Sequence, residues 1–204
     1  SHQAGLYEVR NILEDVEELL DFDRFAERLA AARPAHAPGK HAGYHALTYG
    51  NLIAEIVRRV SGQAFPDFVR QEIAAPLGLS QFWVGAPEDV CAQSAELLPR
   101  PAPRDPPRDS SKDGRDARQV TRARRGRKLE FGFRLARMLG FPLDGPRLKA
   151  AFVPRGIERL PMDSPEVLRA CIPSVNGLFS APDLARFYAA LSLGGELAGQ
   201  RLVS

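Results

Sequence analysis

From about Ala46 to Val60 the chain sets Tyr49, Leu52, Ile53, Ile56, Val57 and Val60 at helical spacing, and Gly62 follows where a left-handed residue can close a helix. Strand side chains alternate between faces, so a stripe of this period commits the stretch to a helix with one side to bury. Comparable stripes occur elsewhere. Residues 21 to 33, DFDRFAERLAAAR, align Phe22, Phe25 and Leu29 and stop before Pro34. In SGQAFPDFVRQEIAAPLGL, Pro66 suits a first helical turn, Phe68, Val69 and Ile73 form the stripe, and Pro76 with Gly78 ends it. In SAPDLARFYAALSLGG, Ser180 and Asp183 have capping-box spacing, Leu184, Phe187, Tyr188 and Leu191 share a face, and Gly194 terminates it. KLEFGFRLARMLG and SPEVLRACI read as shorter helices, and strand signals are confined to SQFWVG and NGLFS. The expected fold class is mainly α with a few short strands.

The pattern breaks at residues 99 to 127. Five prolines fall between Pro99 and Pro107, and large apolar side chains are almost missing. From Arg100 to Lys128 there are 11 Lys/Arg against 4 Asp, so the local charge is +7 and the rest of the chain carries −4. The pI near 9.1 therefore belongs to one segment. Proline density and like charge oppose packing, and the segment reads as a mobile, solvated insertion interrupting a single domain over 1–204. No aromatic side chains interleave with its arginines, which argues against stacking on nucleic-acid bases, and nucleic acid is an unlikely partner by this reading.

Several chemistries lose support. No 18 apolar residues run together, so no membrane span is expected, and the N-terminus SHQAGLYEVRN has no signal-peptide pattern. The compartment is left open, a cytoplasmic one being allowed. Cys91 and Cys171 read as reduced structural thiols. His41 and His45 stand four apart with His36 five earlier, but the intervening PGKHAG is too loop-like to put all three on one helix face and no HExxH or carboxylate companion occurs, so no metal is expected. Phosphate-cradling glycine motifs and the GxSxG elbow do not occur, and no cofactor is expected. No Ser or Thr has a lysine three residues on, the spacing that would place a nucleophile beside its base on a helix.

Taken together, four segments resemble one family. SHQAGL is similar to its HTSGL turn, and YHALTYGNLIAEIVRRVSG to the segment carrying its catalytic tyrosine and the following helix. FVRQEIAAPLGLSQFWVG resembles its PLG turn, and SVNGLFSAPDLARFYAALSLGG its GGLxSTxxDLxxF element. The family is that of the serine β-lactamase-related hydrolases, the class C β-lactamase-like or penicillin-binding-protein-like esterases. The likeness covers about 1 to 90 and 165 to 204, and implies a partial β-lactamase/transpeptidase-like fold, the helical region of an α/β serine hydrolase.

In that family the serine of an SxxK motif attacks an ester or amide carbonyl, and water or another nucleophile resolves the acyl-enzyme. The resemblance places Tyr44 where the family's tyrosine exchanges protons with the serine and the leaving group. It also marks His45, Asn176 and Gly177 as candidate substrate contacts, although a capping role for His45 and a turn for Asn176 and Gly177 compete with this. Gly39 and Gly43 would let the loop direct the Tyr44 ring. Two places on from the tyrosine, β-lactamases carry asparagine; here it is Ala46, which points toward the family's carboxylesterases and lipases. The SxxK and the later KTG or HxG strand are both missing from these 204 residues, so the chain is expected to be a portion of a hydrolase for small ester or amide substrates, inactive alone. The competing expectation is a degenerate, non-catalytic helical domain that binds an acidic partner through its arginine-rich insertion.

Overall fold

The computed structural model describes residues 2–98 and 150–202. The insertion at 99–127 and the helix read over 128–140 lie outside those residues. Residues up to Glu96 and from Ala150 onward make one compact unit, so the chain on either side of the insertion returns to the same body.

Helices come where periodicity put them. After α1 (Val9–Ile12) and a 3-10 turn (Val16–Leu19), α2 runs over Phe22–Ala31, its amides capped by the Asp21 carboxylate, which accepts from Arg24 N–H at 3.0 Å. That satisfies one of the donors a helix start leaves orphaned. α3 occupies Thr48–Ser61 and closes on Gly62 at φ 74°, with the Gly62 amide donating to Arg58 C=O. α4 (Phe65–Phe68) takes Pro66 in its first turn and continues as a π-helical turn over Val69–Ala74, one bulge that the sequence pattern does not announce. α5 (Glu88–Cys91) is a single turn, and beyond the insertion come α6 (Pro165–Arg169) and α7 (Ala181–Ser192). Both of the latter begin with a serine, Ser164 or Ser180, accepting from the amide three residues on.

The two strand signals find each other. β1 (Phe82–Val84) pairs antiparallel with β2 (Gly177–Phe179), Trp83 opposite Leu178. A second two-stranded ribbon, β3 (Glu196–Leu197) and β4 (Gln200–Arg201), follows α7. Asp183 departs from the capping box: Ser180 Oγ accepts from its amide, but its own carboxylate turns away to accept from Gln81 N–H at 2.6 Å, tying α7 to the entry of β1.

Two apolar clusters hold the unit. One joins Val9, Leu13, Val16, Leu19, Phe25 and Leu29 to Leu47 and, from beyond the insertion, to Leu160, Val167 and Ile172. The other gathers Val69, Ala74, Leu77, Leu79 and Phe82 against Ala190, with Phe187 alongside. Trp83 is half-buried, and the Arg70 guanidinium lies 3.8 Å from its ring centroid. Cys91 and Cys171 are free thiols, and burial pushes that of Cys171 up to about 12.

α3 packs only part of its expected stripe, Leu52 lying against the first cluster and Val57 half-buried. Its buried residues are Thr48, Gly50, Asn51 and Ala54, whereas Tyr49, Ile53, Ile56 and Val60 are exposed among the described residues, Val60 at 83%. The missing side chain at Gly50 explains the close approach on the buried side. A Cβ on Gly50 would stand 2.5 Å from Ser174 Oγ, so that side of the helix can press directly onto the backbone of 173–174.

Candidate active site

Tyr44 sits between a seam and a helix start. The seam is the antiparallel run of residues 2–6 along 35–45. Ala35 N–H donates to Gly5 C=O at 2.8 Å, Gly39 N–H to Gln3 C=O at 3.0 Å and Gly43 N–H to His2 C=O at 3.0 Å. Gly39 turns the loop at φ 82°. Gly43 serves by having no side chain, since a Cβ there would lie 2.4 Å from the Tyr7 ring. Tyr7 thus fills the space beneath the loop. The helix start is fixed from the far side of the insertion, where Ser174 Oγ accepts from Gly50 N–H and donates to Leu47 C=O, each at 2.9 Å.

Between these anchors the Tyr44 ring is turned outward and is 57% exposed. It leans on Phe152, with centroids 5.3 Å apart, and on the imidazole of His2 at 5.1 Å. His2 also touches the Tyr49 ring at 4.9 Å, so four aromatic side chains form one patch. Among the described residues the Tyr44 hydroxyl has no hydrogen-bond partner. A phenol placed this way can give or take a proton from a group arriving from outside, which a hydroxyl bonded to backbone could not do freely.

His45 is placed otherwise than a ligand contact. It is 1% exposed, its Nε2 accepts from Leu6 N–H at 3.1 Å, and its Nδ1 donates to Gly43 C=O at 2.5 Å. Both ring nitrogens are engaged, and the side chain acts as an internal strut between the seam and the loop. Burial pushes the imidazole below its ordinary range, against an upward pull from the Gly43 carbonyl and with a further downward push from His2 and His36. The neutral ring is the form the fold requires.

Asn176 is also buried, at 4% exposure. Its carbonyl accepts from Ile172 N–H, and its amide donates to Val167 and Ala170 C=O at 2.7 and 2.5 Å. Those bonds finish the C-terminal end of α6 and occupy the side chain. Gly177 is exposed and opens β2 opposite Val84; a Cβ there would meet the Phe179 ring at 2.2 Å. The structure therefore unites Tyr44 with His2, Tyr49 and Phe152, while His45 and Asn176 are buried and bonded within the frame and Gly177 stands exposed on β2. Phe152 carried no sequence signal, being separated from Tyr44 by the whole insertion. His2 carried one, the histidine heading the glycine turn SHQAGL. No group of three or more His, Cys, Asp or Glu side chains suited to a metal ion occurs among the described residues.

A family model described as Beta-lactamase matches residues 1–204. An esterase/beta-lactamase, LipL, of Mycobacterium tuberculosis (strain ATCC 25618 / H37Rv) is 32% identical over all of this chain, which covers 41% of that protein. A penicillin-binding protein homologue from Caulobacter crescentus is 31% identical with a TM-score of 0.69, the chain spanning 44% of it. A family VIII carboxylesterase is 25% identical with a TM-score of 0.70, again over 44% of its length. The chain thus spans less than half of each relative.

Proposed function

Because the chain belongs to the beta-lactamase family, we propose that it contributes Tyr44 to a serine hydrolase site that cleaves small esters through an acyl-enzyme. In this reading a serine Oγ attacks the ester carbonyl and passes its proton to the tyrosine oxygen, which takes it as a phenolate and becomes a neutral phenol. The tyrosine returns that proton to the departing alkoxide, and water then repeats the exchange in reverse to free the acid. The observation that carries the proposal is the outward, half-exposed Tyr44 ring on a loop immobilised from both sides.

Two further features support it. Ala46 stands where β-lactamases carry their amide-binding asparagine, which favours esters, in keeping with the esterase and carboxylesterase relatives. The attacking serine is assigned to polypeptide outside these 204 residues, since no SxxK occurs within them. The apolar stripe of Tyr49, Ile53, Ile56 and Val60, continuing from Tyr44 along α3, is the kind of surface such polypeptide would cover.

Replacing Tyr44 with Phe in the protein that carries the nucleophile is expected to slow ester hydrolysis by roughly 10²-fold or more, with substrate binding little changed. An unchanged rate would remove the assignment. The 204-residue chain alone, treated with a fluorophosphonate, is expected to gain no label, and stoichiometric modification of any of its serines would place the nucleophile within it.

A further inference from the structure

Tyr44 is directed by its neighbours, and one residue accepts from the amides of both residues that flank it in sequence, Gly43 and His45. Gly43 N–H, before the tyrosine, donates to His2 C=O at 3.0 Å, and His45 N–H, after it, donates to His2 Nδ1 at 3.2 Å. The same imidazole lies against the Tyr44 ring at 5.1 Å and against Tyr49 at 4.9 Å. His2 adopts φ 53°, a left-handed conformation that few residues other than glycine take up, histidine being among the more tolerant. A backbone held there needs a local reason.

We propose that His2 is the positioning residue for Tyr44: its ring nitrogen and carbonyl fix the backbone on both sides of the phenol, and its ring face sets the phenol's direction. The inference rests on the reading of Tyr44 as the proton-exchanging group. The seam itself does not depend on the His2 ring, because Ala35 to Gly5, Gly39 to Gln3 and Leu6 to His45 Nε2 would still join the two segments. The ring's own bond is to the peptide that follows Tyr44. As an acceptor, Nδ1 carries no proton, so the ring's proton sits on Nε2 and the ring is neutral. An imidazolium would donate from both nitrogens and leave His45 N–H without its acceptor. His2 therefore acts through Tyr44 and is not assigned a proton-transfer step.

The test compares His2→Ala with His2→Asn, since an asparagine carbonyl can take the place of Nδ1 and asparagine tolerates the left-handed backbone. In the 204-residue chain, His2→Ala is expected to speed amide exchange at His45 roughly tenfold while leaving Ala35 and Gly39 unchanged, and His2→Asn to restore the protection. Unchanged exchange at His45, or loosening that spreads to Ala35 and Gly39, overturns the proposal, the latter showing a merely structural turn. In the protein bearing the nucleophile, His2→Ala is expected to lower kcat about tenfold to a hundredfold with KM nearly constant, and His2→Asn to recover most of it. A change in KM alone would also overturn it. If Tyr44→Phe leaves hydrolysis intact, the functional reading fails, while amide exchange still decides whether His2 fixes the loop.

Discussion

α2 and α3 follow each other in sequence, lie in contact, and are joined across their surfaces by Arg58 to Asp23 at 2.6 Å, yet they resolve their apolar residues in opposite ways. α2 buries Phe25 and Leu29 at 0% and 3% exposure in the first cluster, while Phe22 is half-buried beneath the Arg58 guanidinium. α3 turns Thr48, Gly50, Asn51 and Ala54 inward, packs Leu52 against the same cluster, and leaves Ile56 at 57% and Val60 at 83%. The difference teaches that amphipathic period identifies a helix but does not say which face finds a neighbour. On α2 the large residues drive packing by their area. On α3, Gly50 takes the near side because a side chain there would collide with Pro173 and Ser174, and Ile56 and Val60 are left on the exposed side.

The comparison breaks most directly through paired truncations. Phe25→Ala is expected to cost about 3–5 kcal/mol, enough to unfold much of the chain, whereas Ile56→Ala should stay within about 0.5 kcal/mol of the parent. Denaturant titration of both variants checks this, and a large loss at Ile56 would mean that the stripe is covered within this chain. Next in size is the effect of acid on the strut beneath Tyr44. The His45 imidazole is held below its ordinary range, so the unfolded chain binds the extra proton first. Stability should be complete above about pH 6.5 and fall as the pH drops below it. Thermal midpoints from pH 7.5 to 5.5 should show that slope in the parent and a weaker one in His45→Gln, and equal slopes would contradict it. Smallest is Thr48→Val on the buried side of α3. The Thr48 hydroxyl is fully buried with no partner among the described residues, so an isosteric methyl should raise stability by up to about 1 kcal/mol. A fall in the thermal midpoint would show instead that the hydroxyl is engaged.

Much of this arrangement was legible in the residues. The periods of α2, α3 and α7 follow from apolar spacing, and SQFWVG with NGLFS named the two strands that pair as β1 and β2. Tyr44 was reached through resemblance, and Gly43 through its lack of a side chain, although the reason, the Tyr7 ring, is a tertiary fact. What sequence could not supply was context created by residues far along the chain. The π turn after α4 has no local marker. Asp183 looks like a capping-box acid until Gln81 N–H offers it a better donor. His45, next to Tyr44 in sequence, looks like a ligand contact until Leu6 N–H and Gly43 C=O take both its nitrogens. For Asp183 and His45 a polar side chain had two physically sound options, and a backbone N–H from another segment, Gln81 or Leu6, decided between them.

The hydroxyl of Ser174 that clasps the first turn of α3 arrives 124 residues after Gly50, and the cluster around Phe25 likewise waits for Val167 and Ile172. During synthesis, then, the nascent chain can wind α2 and α3 long before it can finish either. Loop-closure entropy makes such a delayed seam slow to form, though only weakly dependent on how long the intervening stretch is. A ribosome stalled before Ile172 emerges would hold helices without a completed interior.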